Sequence, residues 1–225
     1  DKPLLAAFGD ARQAFFDTRD MTEAQLRQIA ALYYGSIEHL DAQIGRVLAA
    51  LESAGIAGNT LIVFTSDHGD YMGQYGLFLK GPNLPYDALA KIPLIISGPG
   101  VTGGRRSDAL VSLVDLAPTF TRAGDAEAIP QTQGLDLSSI LAGDADDIER
   151  EAVFSESDGD VKAVITRQHK LIYDSRRGLT EMYDRKSDPN EAQNIAADAD
   201  DVVNKYMRRL VDWLTECAYN RYPYL

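Results

Sequence analysis

Thr60-Leu61-Ile62-Val63-Phe64-Thr65-Ser66-Asp67-His68-Gly69-Asp70 is the stretch around which the rest of the chain is organised. Leu61 to Thr65 are apolar or β-branched, bounded by Asn59 on one side and by a polar, glycine-containing turn on the other. Such a run predicts a strand buried on both faces, as in a parallel sheet. It stops at an acid, an imidazole and a glycine, where a parallel strand delivers its C-terminal end to a crevice. Carboxylate oxygen and imidazole nitrogen are both ligands for divalent cations, and Gly69 lets the backbone turn sharply behind them. Alone, the pair reads equally as a carboxylate that orients a surface histidine.

On the N-terminal side, Thr22 and Gln25 have the spacing of a capping box. Leu26, Ile29, Ala30, Tyr33, Ile37, Leu40, Ile44, Val47, Leu48 and Leu51 then recur at three and four, predicting a long helix with one buried face. Glu38, His39 and Asp41 fall on its solvated side. Gly55 ends the helix, and helix, turn and apolar strand together make half of a βαβ unit. Residues 1–20 are short and mixed; Phe15-Phe16 could cover an apolar edge but receives no assignment.

On the C-terminal side, Tyr71 to Ala90 is a loop rich in glycine, proline and aromatics, longer than an ordinary strand-to-helix connection, and loops of that length tend to carry function. Lys80 is the one cation between Asp67 and Lys91, and a lysine held there would donate to oxyanions as a point charge. Ile92 to Ser97 is a second apolar run closed by Gly98-Pro99-Gly100, with Pro93 tolerated near its start. Arg105-Arg106 lies in a polar surface turn. Asp115 reads as the cap of a helix to about Ala123, with Pro118 in the first turn. A linker-like loop over 124–134 precedes a short helical piece ending at Gly143.

A charged break at Asp144-Ala145-Asp146-Asp147 marks a change of composition. Beyond it, Ala152–Ser155, Val161–Thr166, His169–Tyr173 and Leu179–Tyr183 predict an antiparallel sheet of three or four strands. Val202, Tyr206, Leu210, Trp213 and Leu214 give a closing helix with one apolar stripe. The expected division is 1–143 and 144–225, the second unit too small to stand without the first.

With 45% hydrophobic and 25% charged residues the chain belongs to the folded globular class rather than the disordered one. A net charge of -12 argues against a nucleic-acid surface. It also means that an anionic substrate would need a local cation to reverse the field. Cys217 is the lone cysteine, so no disulfide framework and no cysteine metal cluster can form. No stretch reads as a membrane span or signal peptide; a chain that starts mid-fold would not show its targeting signal, which leaves the compartment open. Tyr219, Tyr222 and Tyr224 read as an aromatic tail.

The ordered motifs resemble a known family. Thr65-Ser66-Asp67-His68-Gly69, then Lys80, Pro93-Leu94-Ile95 with Gly98-Pro99-Gly100, Val114-Asp115-Leu116-Ala117-Pro118-Thr119, Lys170-Leu171-Ile172-Tyr173, Met182-Tyr183-Asp184 and Asp188-Pro189-Asn190-Glu191 with Asn194 are similar to the C-terminal half of the sulfatase family. That family sits among the alkaline-phosphatase-like α/β hydrolases, which include phosphate and phosphonate ester hydrolases. The resemblance runs from Leu32 to Ala196. It implies an α/β fold: part of a mostly parallel sheet flanked by helices over 1–143, then a small antiparallel sheet and closing helix.

For the site, the resemblance implies that Asp67 and His68 bind one divalent cation, calcium first, with magnesium or manganese as alternatives. Lys80 corresponds to a lysine that contacts the sulfate oxygens and assists the leaving group. Tyr75 stands in Gln74-Tyr75-Gly76, where many members carry a histidine that lines the mouth of the site, and is the second expected substrate contact. The substitution is also a faint pointer to phosphate or phosphonate esters. The family's nucleophile, a formylglycine made within a Cys/Ser-x-Pro-x-Arg motif, has no counterpart in this sequence. Nor do two further aspartate ligands, a Lys-x-x-x-His segment and a Pro-His-x-Pro segment. The expected partner is therefore a complementary N-terminal sulfatase segment, on a separate or cleaved chain, acting on a small anionic ester. Without such a partner the chain would be an incomplete enzyme, or a non-catalytic fragment or binding domain.

Overall fold

The structure, a computed structural model, describes residues 2–7, 21–157 and 159–221, the last three of these as backbone only. Phe15-Phe16, the side chain of Tyr219, and Tyr222 and Tyr224 lie outside the described set. A short helix α1 (Pro3–Ala7) precedes a 31-residue helix α2 (Glu23–Ser53). Thr22 and Gln25 close the α2 N-terminus reciprocally: Thr22 Oγ1 accepts from the Gln25 N–H, and Gln25 Oε1 accepts from the Thr22 N–H. The apolar stripe of α2 is present, but no residue of the helix is buried among the described residues.

Strand β1 (Ile62–Thr65) pairs with β2 (Leu94–Ser97) in antiparallel register, Ile62 opposite Ser97 and Thr65 opposite Leu94. These two strands are thus antiparallel neighbours, and no parallel pair occurs among the described residues, so the mostly parallel sheet implied by the resemblance is not shown in this part of the fold. The cause lies in the connection. Parallel neighbours need a crossover that returns the chain to the opposite edge, usually a helix as long as the strand. Between Thr65 and Leu94 the only α-helix is the four-residue α3 (Asp87–Ala90), so the chain loops at one end and β2 starts where β1 stopped. Burial on both faces is corrected, since Phe64 and Ile95 are exposed.

The 144–225 region follows the sequence reading. Strands β3 (Val153–Ser157), β4 (Val161–Ile165), β5 (His169–Asp174) and β6 (Leu179–Asp184) form one antiparallel meander in sequence order. Alternation splits their side chains between two cores. Val164, Leu171 and Met182 meet Tyr206, Leu210, Trp213 and Leu214 of the closing helix α6 (Asp200–Arg221). Val161, Ala163, Ile165, Ile172 and Tyr183, on the opposite face, meet Leu4 and Leu5 of α1 and Tyr71, Leu77, Leu84, Tyr86 and Leu89 of the long loop. The sheet is therefore the floor on which the 71–90 loop rests.

Helices α4 (Leu116–Ala123) and α5 (Ser138–Ala142) lie between the two sheets in the chain. Asp115 does not cap α4 through its side chain. Fully buried, it takes two hydrogen bonds from Arg150, at 2.5 and 2.6 Å, and further ones from the Ser112 and Leu135 N–H groups. A carboxylate removed from water needs such partners, and a helix N-terminus alone would not supply them.

Candidate metal and anion site

The end of β1 is tied down before the functional residues begin. Thr65 Oγ1 donates to the Pro93 carbonyl at 2.8 Å, and Ser66 Oγ donates to the His68 carbonyl at 3.0 Å. Asp67 follows with its side chain 87% exposed, and Oδ1 accepts the His68 N–H at 2.9 Å. Hydrogen bonds from the His68 and Asp67 backbone N–H groups, with smaller electrostatic help from His68 and from the Lys80 charge, hold the Asp67 carboxyl below its usual range.

The His68 ring is held from behind. Its Nδ1 is 2.8 Å from the Gly69 carbonyl oxygen. A carbonyl only accepts, so Nδ1 carries the hydrogen in this contact and the neutral ring presents Nε2 as the lone-pair nitrogen. Nε2 lies 3.7 Å from Asp67 Oδ2. Adjacent ligands at right angles around calcium are roughly 3.3–3.7 Å apart, given metal–oxygen distances of about 2.3–2.6 Å. The oxygen and nitrogen thus have the chemistry and spacing of neighbouring ligands. They supply two donors to an ion that takes about six to eight. No group of three or more His, Cys, Asp or Glu suited to a metal occurs among the described residues. The pair fits a divalent cation as part of a shell, not the whole of one.

Gly69 is required where it stands. Its N–H donates to the Leu89 carbonyl at 2.9 Å, and a Cβ at this position would lie 2.0 Å from the Ala88 carbonyl oxygen. The strand exit is pressed directly against the backbone of α3.

Two residues then shape the loop that carries Lys80. Asp70 Oδ1 accepts from the Met72 N–H at 2.8 Å and the Leu79 N–H at 3.1 Å, while the Tyr71 N–H donates to the Leu79 carbonyl at 3.0 Å. Past Lys80, the Tyr71 hydroxyl spans the Pro82 and Leu84 carbonyls at 3.0 and 3.1 Å. Burial pushes that hydroxyl far above its usual pKa, so it remains a donor. Lys80 lies between these anchors, exposed, with its charge acting on Asp67. Asp67 and His68 are thus adjacent, and Lys80 is near enough for its charge to act on the Asp67 carboxyl.

Tyr75 is engaged elsewhere. Its hydroxyl donates to the Asn190 carbonyl at 2.7 Å and accepts from Gln74 Nε2 at 2.9 Å, and its ring packs edge-on against Tyr71 and Tyr86. Lys2 Nζ sits 4.0 Å from the Tyr75 and Tyr86 ring centres and 4.5 Å from that of Tyr183. Below these rings, the Glu181 carboxylate accepts from the Tyr86 and Tyr183 hydroxyls and the Leu4 N–H. Sequence reasoning gave no role to Asp70, Tyr71, Asp87, Glu181 or Lys2. Asp70 stood in the decisive stretch, but its task depends on a contact nine residues away, for which no local pattern exists.

The family model for sulfatases matches residues 6–126, and the model for the C-terminal region of N-sulphoglucosamine sulphohydrolase matches 73–217. The chain belongs to the sulfatase family. Among its relatives, the arylsulfatase of Clostridium perfringens is 35% identical over 178 residues, covering 76% of this chain and 36% of that protein. Arylsulfatase K of Bos taurus is 32% identical over 209 residues, with 86% and 38% covered. A solved structure of a protein in complex with its substrate D-glucosamine-2-N,6-O-disulfate superposes with a TM-score of 0.78 at 27% identity, covering 96% of this chain and 46% of that one. Phosphonate monoester hydrolase of Agrobacterium radiobacter superposes with a TM-score of 0.74 at 30% identity, covering 89% and 43%. The chain thus spans less than half the length of these relatives.

Proposed function

We propose that this chain supplies the cation-binding and lysine side of a sulfatase-type active site, acting on monoesters of sulfate. The carrying observation is the juxtaposition of Asp67 Oδ2 and His68 Nε2 at 3.7 Å, and the charge of Lys80 acting on Asp67 supports it. A bound divalent cation, calcium before magnesium or manganese, polarises the ester oxygens and favours an ionised nucleophile. Asp67 and His68 would hold it, the first as a carboxylate kept ionised by its donors, the second through an Nε2 left open by the Gly69 contact. Lys80 donates to the sulfate oxygens as negative charge develops on them and on the departing oxygen. Tyr75 enters as a residue that holds the loop, because both its hydroxyl and its ring are committed to other partners.

The nucleophile, expected as formylglycine, and the remaining ligands belong to a complementary upstream segment that this chain meets as its partner. A phosphonate or phosphate ester hydrolase is the second reading. It is favoured by the likeness to the phosphonate monoester hydrolase and by Tyr75 standing in place of a histidine.

The test uses the protein expressed from its intact gene, assayed on aryl sulfate, aryl phosphate and aryl phosphonate monoesters. Asp67→Ala is expected to lower kcat/KM on the preferred ester by about 100-fold or more, and chelation of the cation by a comparable factor. Full turnover in the Asp67→Ala protein would refute the assignment. The ratio of sulfate to phosphonate turnover decides between the two ester classes.

A further inference from the structure

Lys170 lies in the interior strand β5, fully buried, whereas Asp67, His68 and Lys80 are exposed. Its Nζ is 2.7 Å from Asp87 Oδ1 and 2.6 Å from Glu191 Oε1. Glu191 Oε2 accepts the Asp87 N–H at 2.8 Å, and Arg185 Nη2 approaches Asp87 Oδ2 at 3.6 Å. Two cations, Lys170 and Arg185, and one carboxylate, Glu191, thus clamp Asp87, the first residue of α3. A buried ion pair adds little net stability over apolar side chains of similar size, and its best-attested use is to fix one geometry among several.

What α3 touches gives the clamp its consequence. The Leu89 carbonyl, two residues past Asp87, takes the Gly69 N–H at 2.9 Å; the Gly69 carbonyl takes the His68 Nδ1 hydrogen at 2.8 Å. A continuous path therefore runs from Lys170 through Asp87, the α3 turn and Gly69 to the His68 ring. We propose that Lys170 is a positioning residue for His68, fixing its ring orientation and tautomer so that Nε2 stays directed beside Asp67 Oδ2. The chemical logic is that of an outer partner behind a metal-binding imidazole, here acting through backbone from the far side of a helix turn. The part of the proposal that concerns cation affinity rests on the reading of Asp67 and His68 as ligands; the part that concerns the ring does not.

The experiment compares the parent, Lys170→Met and Glu191→Gln in the protein expressed from its intact gene. Two readouts are taken: the His68 ring-nitrogen tautomer by 15N–1H correlation, and calcium affinity by titration calorimetry. The parent is expected to show a single Nδ1–H tautomer. Lys170→Met is expected to show mixed tautomers and calcium binding weaker by about 10-fold or more, the scale for outer partners of metal ligands. Glu191→Gln keeps an oxygen for the Asp87 N–H and removes one charge, so it should fold and show a smaller change in the same direction. A folded Lys170→Met with the parent's tautomer and the parent's calcium affinity overturns the proposal. If Lys170→Met does not fold, Glu191→Gln indistinguishable from the parent on both readouts overturns it. A parent that takes up no calcium would sink the cation reading alone, and the tautomer would then decide the coupling.

Discussion

At the scale of single residues, the position with least freedom is Gly69. Its neighbours Asp67 and His68, the proposed cation ligands, are exposed, so their side chains can be exchanged without disturbing the packing beneath. Gly69 cannot, because a methyl group there would lie 2.0 Å from the Ala88 carbonyl oxygen, a backbone atom with nowhere to retreat. Gly69→Ala should therefore either push the strand exit off α3 or break the Gly69 N–H bond to Leu89. Overpacking of this kind costs about 1–3 kcal/mol, read as a lowered urea midpoint. Because the same residue holds the His68 ring, the variant should also lose calcium affinity, whereas Gly58→Ala, in open space, should change neither. Equal behaviour of the two variants would show that the close approach has no energetic weight.

At the scale of elements, the apolar faces of β3 to β6 and α6 were legible and the partners of β1 were not. The alternation in β3 to β6 and the stripe on α6 state which side of each element is apolar, and those assignments match the two cores. An apolar run such as Leu61–Thr65 says nothing about the direction of its neighbour, which is set by the connection, so the antiparallel pairing with β2 was not legible. Asp67, His68 and Lys80 were legible only through their order among other motifs. Lys170 and Glu191 stood in those motifs too, but their meeting with Asp87 spans 83 residues in one case and 104 between Asp87 and Glu191 in the other. This contact fixes how α3 sits on the sheet, and it predicts a pH signature. Burial alone would raise the Asp87 carboxyl, yet Lys170, with its hydrogen bond, and Arg185 hold it below its usual range. A depressed carboxyl contributes stability that is present above the unfolded value, about pH 4, and is lost as pH falls through the lower folded value. Lys170→Met removes the principal partner and leaves a buried carboxylate that protonation relieves. Its destabilisation should be largest at pH 7, about 3–5 kcal/mol, and should shrink as pH falls through the variant's raised Asp87 value and on toward the parent's depressed one. Urea titrations at pH 7 and pH 3 measure the gap; a gap independent of pH would mean that Asp87 does not bear the charge assigned to it.

At the scale of the whole molecule, the described residues divide into a well-covered half and an open one. The four-stranded sheet is enclosed by α6 on one face and by α1 and the 71–90 loop on the other. Helix α2 and the β1–β2 pair have no such cover: Leu40 is 53% exposed, Val47 61% and Ile95 62%. Apolar side chains arranged in one helical stripe and along one strand mark a surface built to be covered. The share of each relative that the chain leaves unmatched is large enough to cover them. If a complementary segment packs there, as the proposed function requires, the chain expressed by itself should self-associate and bind a hydrophobic dye. Co-expression with the upstream segment should suppress both. Replacing Leu40, Val47 and Ile95 with serine should also reduce self-association of the chain alone, because these side chains contribute little to its own core, and should weaken capture of the upstream segment. Sedimentation velocity and dye fluorescence on the four preparations separate the cases. A chain that stays monomeric and dark to the dye, or a triple-serine variant that captures the upstream segment as tightly as the parent, would place the covering surface elsewhere.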